Sequence, residues 1–129
     1  KVATPRQAQA VIKKMLDPAE FATPLPLPTA ALSNPSYHPE GYWRGRVWFD
    51  QVYFAAVALK NYGKMAEARA MVKQFVEKAE GLNGAEAIRE NYLPTTGKML
   101  GASNFSWSAA HLLMLKREGY LDSAGGKKK

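Results

Sequence analysis

The stretch VWFDQVYFAAVALKNY, residues 47–62, decides the fold, because as a helix it is apolar on nearly every side. Such a helix must be enclosed by neighbours. After a break at Gly63, the next helix is expected at about Lys64–Glu80, with apolar residues on one face and charges on the other. An enclosed helix followed by an amphipathic one is typical of the inner and outer pair of an α/α toroid, although a plain bundle gives a similar local pattern.

Two more helices flank this pair. Thr4-Pro5-Arg6-Gln7 carries the elements of a capping box and predicts a first helix that ends at Asp17-Pro18. A final helix, in which most residues are apolar, is expected at about Phe105–Arg117. Residues 21–46 hold five prolines and predict a long extended loop. We therefore expect an all-α chain without strands, whose apolar helices need partners beyond these four.

The amino-acid composition limits the classes of function that the chain can have. The chain has 129 residues, 47% of them apolar, which is enough for one domain. It contains no cysteine, so thiolate metal sites and thiol nucleophiles are excluded. Its apolar stretches fall short of the ~20 residues that span a bilayer, so we expect no membrane association. The net charge of +7 is a weak sign of nucleic-acid binding, because the basic residues are interspersed with acids or gathered in the terminal Lys127–Lys129.

The segment ENYLPTTGKMLGASNFSWSAA, residues 90–110, is the strongest candidate for a site. Glu90 stands at the head of what we interpret as a loop rich in amides, hydroxyls, glycines and aromatic rings. A carboxylate in such surroundings can activate water and hold a sugar ring. Judged by its spacing alone, however, such a segment is more often an ordinary turn with a solvated Glu than a binding or catalytic site.

A second motif, YWRGRVWFDQ, residues 42–51, places Trp43 and Arg44 before the enclosed helix, where they could stack on a sugar and donate to its hydroxyls. Trp48 falls at helical spacing with other apolar residues, which favours a place in the core over contact with a ligand. Asp50 lies in the first helical turn, where the helix dipole favours a carboxylate, so a structural role is at least as well supported as a catalytic one. The isolated His38 and His111 do not make a zinc site, and we expect no metal.

Read together, YWRGRVWFDQ and ENYLPTTGKMLGASNFSWSAAHLLML resemble the C-terminal part of glycoside hydrolase family 63, and most closely its bacterial α-glucosidase branch. The resemblance runs from about Val11 to Leu115. It implies that residues 1–120 are the last helices of an (α/α)6 barrel, followed by a flexible basic tail at 121–129. It also implies that the remainder of the barrel comes from the same polypeptide or from a companion chain.

The family hydrolyses its substrates with inversion at the anomeric carbon. By resemblance, Glu90 is the general base that deprotonates water, and the acid is an Asp that precedes the region considered, so the chain alone should be inactive. A base must be ionised, and we expect Tyr92, Asn104 or Trp107 to hold its carboxylate. The residues expected to bind the sugar are Trp43, Arg44, Gly45, Tyr92, Asn104, Phe105 and Trp107.

The resemblance leads first to an inverting α-glucosidase acting on α-linked glucosides and oligosaccharides. The alternatives are a glucosylglycerate or mannosylglycerate hydrolase of the same family, or a noncatalytic helical carbohydrate-binding or scaffold module. The chain departs from the family at Arg46, where many members have proline, and at Leu93 and Ser103, which leaves linkage preference open. No cofactor is expected in this segment, although a structural calcium ion elsewhere in the enzyme would fit the resemblance. Bacterial members favour a periplasmic or secreted location, with the cytoplasm left open.

Overall fold

The computed structural model describes residues 2–122 and shows four helices and one β-hairpin. The chain is therefore mostly helical, as expected, and the expectation of an all-α fold is wrong only in the hairpin. The helices lie close to their predicted positions. In chain order the elements are α1 (Pro5–Met15), α2 (Phe49–Asn61), α3 (Met65–Lys78), β1 (Arg89–Tyr92), β2 (Met99–Ser103) and α4 (Ser106–Arg117).

The start of α1 confirms the predicted capping box. The Gln7 backbone N–H donates to the Thr4 hydroxyl, and the Gln7 side chain accepts from the Thr4 backbone N–H. These bonds satisfy groups that have no partner inside the helix. Only Ala8 of this helix is buried, while Ile12 and Met15 pack partly against the core.

The core lies between α2, α3 and the hairpin. Phe75 from α3 meets the rings of Phe49 and Tyr92 edge-on, with centroids 4.7 and 6.0 Å away. All three side chains are buried. Helix α2 also packs against α4, but within residues 2–122 it is not enclosed on every side, because Phe54 is 61% exposed. The full enclosure predicted for α2 is thus not provided by the described part of the chain.

The hairpin contains an irregularity at Glu90. In the antiparallel register Arg89 pairs with Ser103 and Asn91 with Leu100, so two residues of β2 lie opposite Glu90. One of them is Gly101, whose φ of +69° is the left-handed conformation found in bulges that begin with glycine. Glu90 therefore lies on strand β1, opposite the bulge in β2, and its predicted place at the head of a loop is corrected.

The proline-rich segment is a loop, as predicted, and it is anchored to the hairpin. Val47 and Tyr92 exchange backbone hydrogen bonds of 2.9 and 3.0 Å, and Val47 also forms a bridge with Pro28. Leu25 donates its N–H to the Pro94 carbonyl at 2.8 Å and is fully buried. These contacts bring residues 42–46 next to β1.

At the end of the described region, Tyr120 is buried and Leu121 packs partly against the core. The remainder of the predicted basic tail, residues 123–129, lies outside the described residues. None of the helices within residues 2–122 has both the length and the apolar character needed to cross a membrane.

An apolar groove of about 740 Å³ between α1, α2 and the proline loop generates the first prediction. Val11 and Phe54, which line it, are 58% and 61% exposed. Exposed apolar patches of this kind promote association. We expect the 129-residue chain expressed by itself to self-associate, and the Val11→Lys, Phe54→Lys variant to do so at least about 10-fold less tightly. Sedimentation velocity measures both. A wild-type chain that is monomeric at about 100 μM would contradict this.

Candidate functional site

The bulge in the hairpin shapes the surroundings of the Glu90 carboxylate. The Ala102 N–H donates to Glu90 Oε2 at 3.1 Å. A Cβ atom on Gly101 would lie 2.4 Å from the same oxygen, so the carboxylate occupies space that a side chain would fill. Glycine is needed here both for this approach and for its positive φ. The bulge thus directs one backbone donor at a half-buried carboxylate.

The second donor to Glu90 is the hydroxyl of Tyr42, which binds Oε1. The two residues are 48 positions apart. The hydrogen bond to the Glu90 carboxylate raises the pKa of the Tyr42 phenol, and partial burial and the negative charge act in the same direction. Tyr42 is the first residue of the YWRGRVWFDQ motif, but the sequence did not predict its hydrogen bond to Glu90. The donors expected from the sequence, Tyr92, Asn104 and Trp107, are replaced by Tyr42 and the Ala102 N–H.

An aromatic cluster, formed by Tyr42, Trp43, Trp48 and Trp107, adjoins the carboxylate. Trp43 stacks on Trp48 with centroids 4.4 Å apart and planes 6° apart. The Trp107 ring lies 5.8 Å from that of Trp48, with the two planes tilted by 51°. Trp48 is buried, as predicted for a core residue, and its Nε1 donates to the Tyr42 carbonyl at 3.2 Å. Trp43 and Trp107 are 52% and 43% exposed, so their rings are open to a ligand.

Four other predicted site residues lie in the loops around this cluster. Arg44 and Asn104 are exposed, and Phe105 is half-buried immediately before α4, 6.2 Å from Trp107. Gly45 is buried, with its N–H donating to the Thr29 hydroxyl at 3.0 Å. Gly45 therefore shapes the loop through its backbone.

Tyr92 requires a correction. Its side chain has no exposed surface, and its hydroxyl accepts the Arg89 N–H at 3.1 Å. Burial raises the pKa of the Tyr92 phenol. In this structure Tyr92 is a core residue that holds β1, and it does not face a ligand. Ser108 on α4, which sequence reasoning did not single out, is buried and donates to the Glu90 carbonyl at 3.3 Å.

The remaining candidates have local roles. Asp50 is buried at the start of α2 and accepts from Gln51 at 3.2 Å. His38 Nδ1 accepts the Glu40 N–H, and His111 Nδ1 lies 2.8 Å from the Trp107 carbonyl. Among the residues that the structure describes, no group of three His, Asp or Glu side chains is placed to hold a metal ion.

Comparison with known proteins identifies the family. Residues 1–108 match the model of the mannosylglycerate hydrolase MGH1-like glycoside hydrolase domain. The chain belongs to the MGH1-like glycoside hydrolases. The family 63 resemblance is confirmed at this level, since solved structures similar to the chain include a GH63 mannosylglycerate hydrolase.

Similar proteins with established names come from bacteria and a plant. The chain is 36% identical over 91 residues to a mannosylglycerate hydrolase of Thermus thermophilus, covering 70% of this chain and 21% of that protein. It is 31% identical over 115 residues to mannosylglycerate hydrolase MGH1 of Selaginella moellendorffii, covering 87% of this chain and 22% of that protein. A glucosylglycerate hydrolase of Mycolicibacterium hassiacum is 30% identical over 89 residues, covering 67% and 19%.

A solved structure supports the same placement. A crystal structure of the GH63 mannosylglycerate hydrolase from Thermus thermophilus, in complex with glucose, superposes with a TM-score of 0.76 at 28% identity, covering 89% of this chain and 28% of that one. The chain thus spans about a fifth of the length of the curated MGH1-like relatives. These relatives do not specifically indicate the α-glucosidase branch, and they favour the glycerate-glycoside alternative.

The bulge generates a prediction for Gly101→Ala. The added Cβ would collide with the Glu90 carboxylate and displace it. If Glu90 is a reacting group, a displacement of roughly 1 Å should lower kcat of the intact gene product by about 10²-fold. Gly63→Ala is the matched control, because Gly63 also has a positive φ, of +78°, but no atom within 4 Å of its Cβ position. Equal activities of the two variants would contradict the role of the bulge.

The hydrogen bond between Tyr42 and Glu90 generates a further prediction. Glu90→Gln removes the negative charge that disfavours the phenolate, so the pKa of Tyr42 should fall toward its ordinary value of about 10. NMR titration of ¹³Cζ-labelled tyrosines, assigned with Tyr42→Phe, measures this change. Tyr53, whose pKa is raised by its hydrogen bond to Glu118, is the internal reference that should not move. An unaltered Tyr42 titration would show that the bond is absent in solution.

Proposed function

We propose that this chain supplies the general base and one wall of the sugar subsite of an inverting hydrolase that acts on mannosylglycerate or glucosylglycerate. The observation that carries the proposal is the Glu90 carboxylate, held by two donors beside exposed indole rings. The family provides the reaction class, and the names of the relatives provide the substrate class.

The two donors fix the orientation of the carboxylate without saturating it. Tyr42 binds one oxygen and the Ala102 N–H binds the other. An ionised carboxylate has about four lone-pair sites, so each oxygen keeps one for a further ligand. A water molecule bound there would donate one hydrogen to Glu90 and direct its oxygen toward the anomeric carbon.

In the proposed reaction Glu90 takes a proton from water as the new C–O bond forms. The bond to glycerate breaks on the opposite face of the sugar, where a carboxylic acid gives its proton to the leaving oxygen. Inversion requires about 6.5–9.5 Å between base and acid, which leaves room for the water. The acid, an Asp by resemblance, belongs to a part of the (α/α)6 barrel upstream of these residues. That barrel and its acid remain part of the proposal.

The aromatic cluster provides the other half of the subsite. Trp43 is fixed in plane by stacking on the buried Trp48, and Trp107 flanks the same ring. The face of an aromatic ring offers an apolar surface on which the C–H face of a pyranose can stack. Tyr42 connects this aromatic surface to Glu90, since its ring lies 5.4 Å from that of Trp43 and its hydroxyl binds the carboxylate.

The test of the base is Glu90→Gln in the intact gene product that carries this sequence. A general base contributes about 10²- to 10⁴-fold, so kcat on the preferred glycerate glycoside should fall by that factor. Glu86→Gln is the control, since Glu86 lies four positions earlier and is exposed. NMR of the first-formed sugar should show inverted configuration. Unchanged hydrolysis by Glu90→Gln, or retained configuration, would refute the proposal.

The substrate class is tested separately by comparing kcat/KM for mannosylglycerate, glucosylglycerate and maltose. A site that binds a glycerate carboxylate should reject a neutral aglycone by about 10²-fold or more. If maltose were the better substrate, the protein would instead be an α-glucosidase, which shares the base and the sugar subsite but not the aglycone.

A further inference from the structure

The guanidinium of Arg46 contacts both sides of the candidate site. Its Nε donates to the Glu40 carbonyl at 2.9 Å, and its Nη1 donates to Asn91 Oδ1 at 3.3 Å. Its Cζ lies 5.6 Å from the centroid of the Tyr42 ring. One planar cation thus touches the loop that carries the donor Tyr42 and the strand that carries the base Glu90.

On the strand side, the partner is the residue next to the base. Asn91 has no exposed surface and follows Glu90 directly on β1. Within residues 2–122 its Nδ2 group has no hydrogen-bond partner, so the bond from Arg46 to Oδ1 is what fixes the amide. Without Arg46 both polar ends of a buried amide would lack partners, a costly arrangement that favours a shift of the strand.

On the loop side, Arg46 lies against the ring whose hydroxyl holds Glu90. A guanidinium near an aromatic face is attracted by the ring electrons. The Tyr42 ring also meets Trp48 edge-on at 4.9 Å, and its backbone carbonyl accepts the Trp48 indole N–H. Arg46 and Trp48 therefore restrain the ring together, and a rotation of the ring would withdraw its hydroxyl from Glu90.

We propose that Arg46 is a positioning residue for the base, which keeps the Tyr42 hydroxyl on the Glu90 carboxylate by holding the Tyr42 ring and the Asn91 amide at once. This inference rests on the proposed function, because it concerns the same base.

A double-mutant cycle in the intact gene product tests the proposal, with Tyr42→Phe, Arg46→Met and the combined variant. Arg46→Met should lower kcat about 10-fold and change KM less than about 2-fold, because it acts on the base and not on substrate binding. The combined variant should be no slower than Tyr42→Phe alone. Arg117→Met, which removes an exposed arginine at the end of α4, is the matched control.

Two kinetic outcomes would overturn the inference: separate effects that multiply in the combined variant, or an Arg46→Met variant as active as Arg117→Met. If Arg46→Met does not fold, Arg46→Lys replaces it with the same expectations, since lysine keeps the charge but not the planar fork.

Crystal structures of the Arg46→Met and Arg117→Met variants give a readout that does not depend on activity. The hydrogen bond between Tyr42 and Glu90 should be lost in the first and kept in the second. A bond that persists in Arg46→Met overturns the inference even if Glu90→Gln is inactive. A bond that is lost while Glu90→Gln remains active supports the positioning role and refutes the proposed function instead.

Discussion

The candidate site depends on the pair of backbone hydrogen bonds between Val47 and Tyr92. Val47 ends the loop that presents Tyr42 and Trp43, and Tyr92 ends the strand that presents Glu90. Both residues are fully buried, so water does not compete for these bonds. Because the two segments are distant in the chain, this pairing decides that a phenol and a carboxylate meet. Packing of the Tyr92 ring against Phe49 and Phe75 then secures the pairing to the helical core.

The bulge gives the Glu90 carboxylate a backbone donor that a regular hairpin would not provide. A regular strand would spend its N–H groups on the ladder, whereas the bulge at Gly101 frees the Ala102 N–H for the Glu90 side chain. The backbone of β1 is fixed from the other side by α4, through the bond from Ser108 to the Glu90 carbonyl. Functional groups held by several elements keep their geometry better than groups on a free loop.

The sequence was sufficient to predict the helices, because apolar periodicity and the Thr4 cap are local signals. It was insufficient for the hairpin, whose short strands are joined by a turn with Pro94 and Gly97, so that the whole segment resembles a loop. The Tyr42–Glu90 contact has no local signature, since it arises from the pairing of Val47 with Tyr92. Tyr92 was assigned to the sugar because polar aromatics near a carboxylate suit that role, and burial is a tertiary property. The aglycone was left open, because the motifs belong to the sugar side, which related hydrolases share.

In the proposed function, Tyr42 and Glu90 face the anomeric carbon of a bound glycerate glycoside. A crystal structure of the intact gene product with glucose and D-glycerate tests it most directly. We expect the sugar ring on Trp43 or Trp107, and a water within about 3 Å of both a Glu90 oxygen and the anomeric carbon. A second carboxyl group should lie about 6.5–9.5 Å from Glu90, across the sugar. If glucose and glycerate were well ordered at another place in the crystal, and Glu90 faced bulk solvent, Glu90 would not be the base.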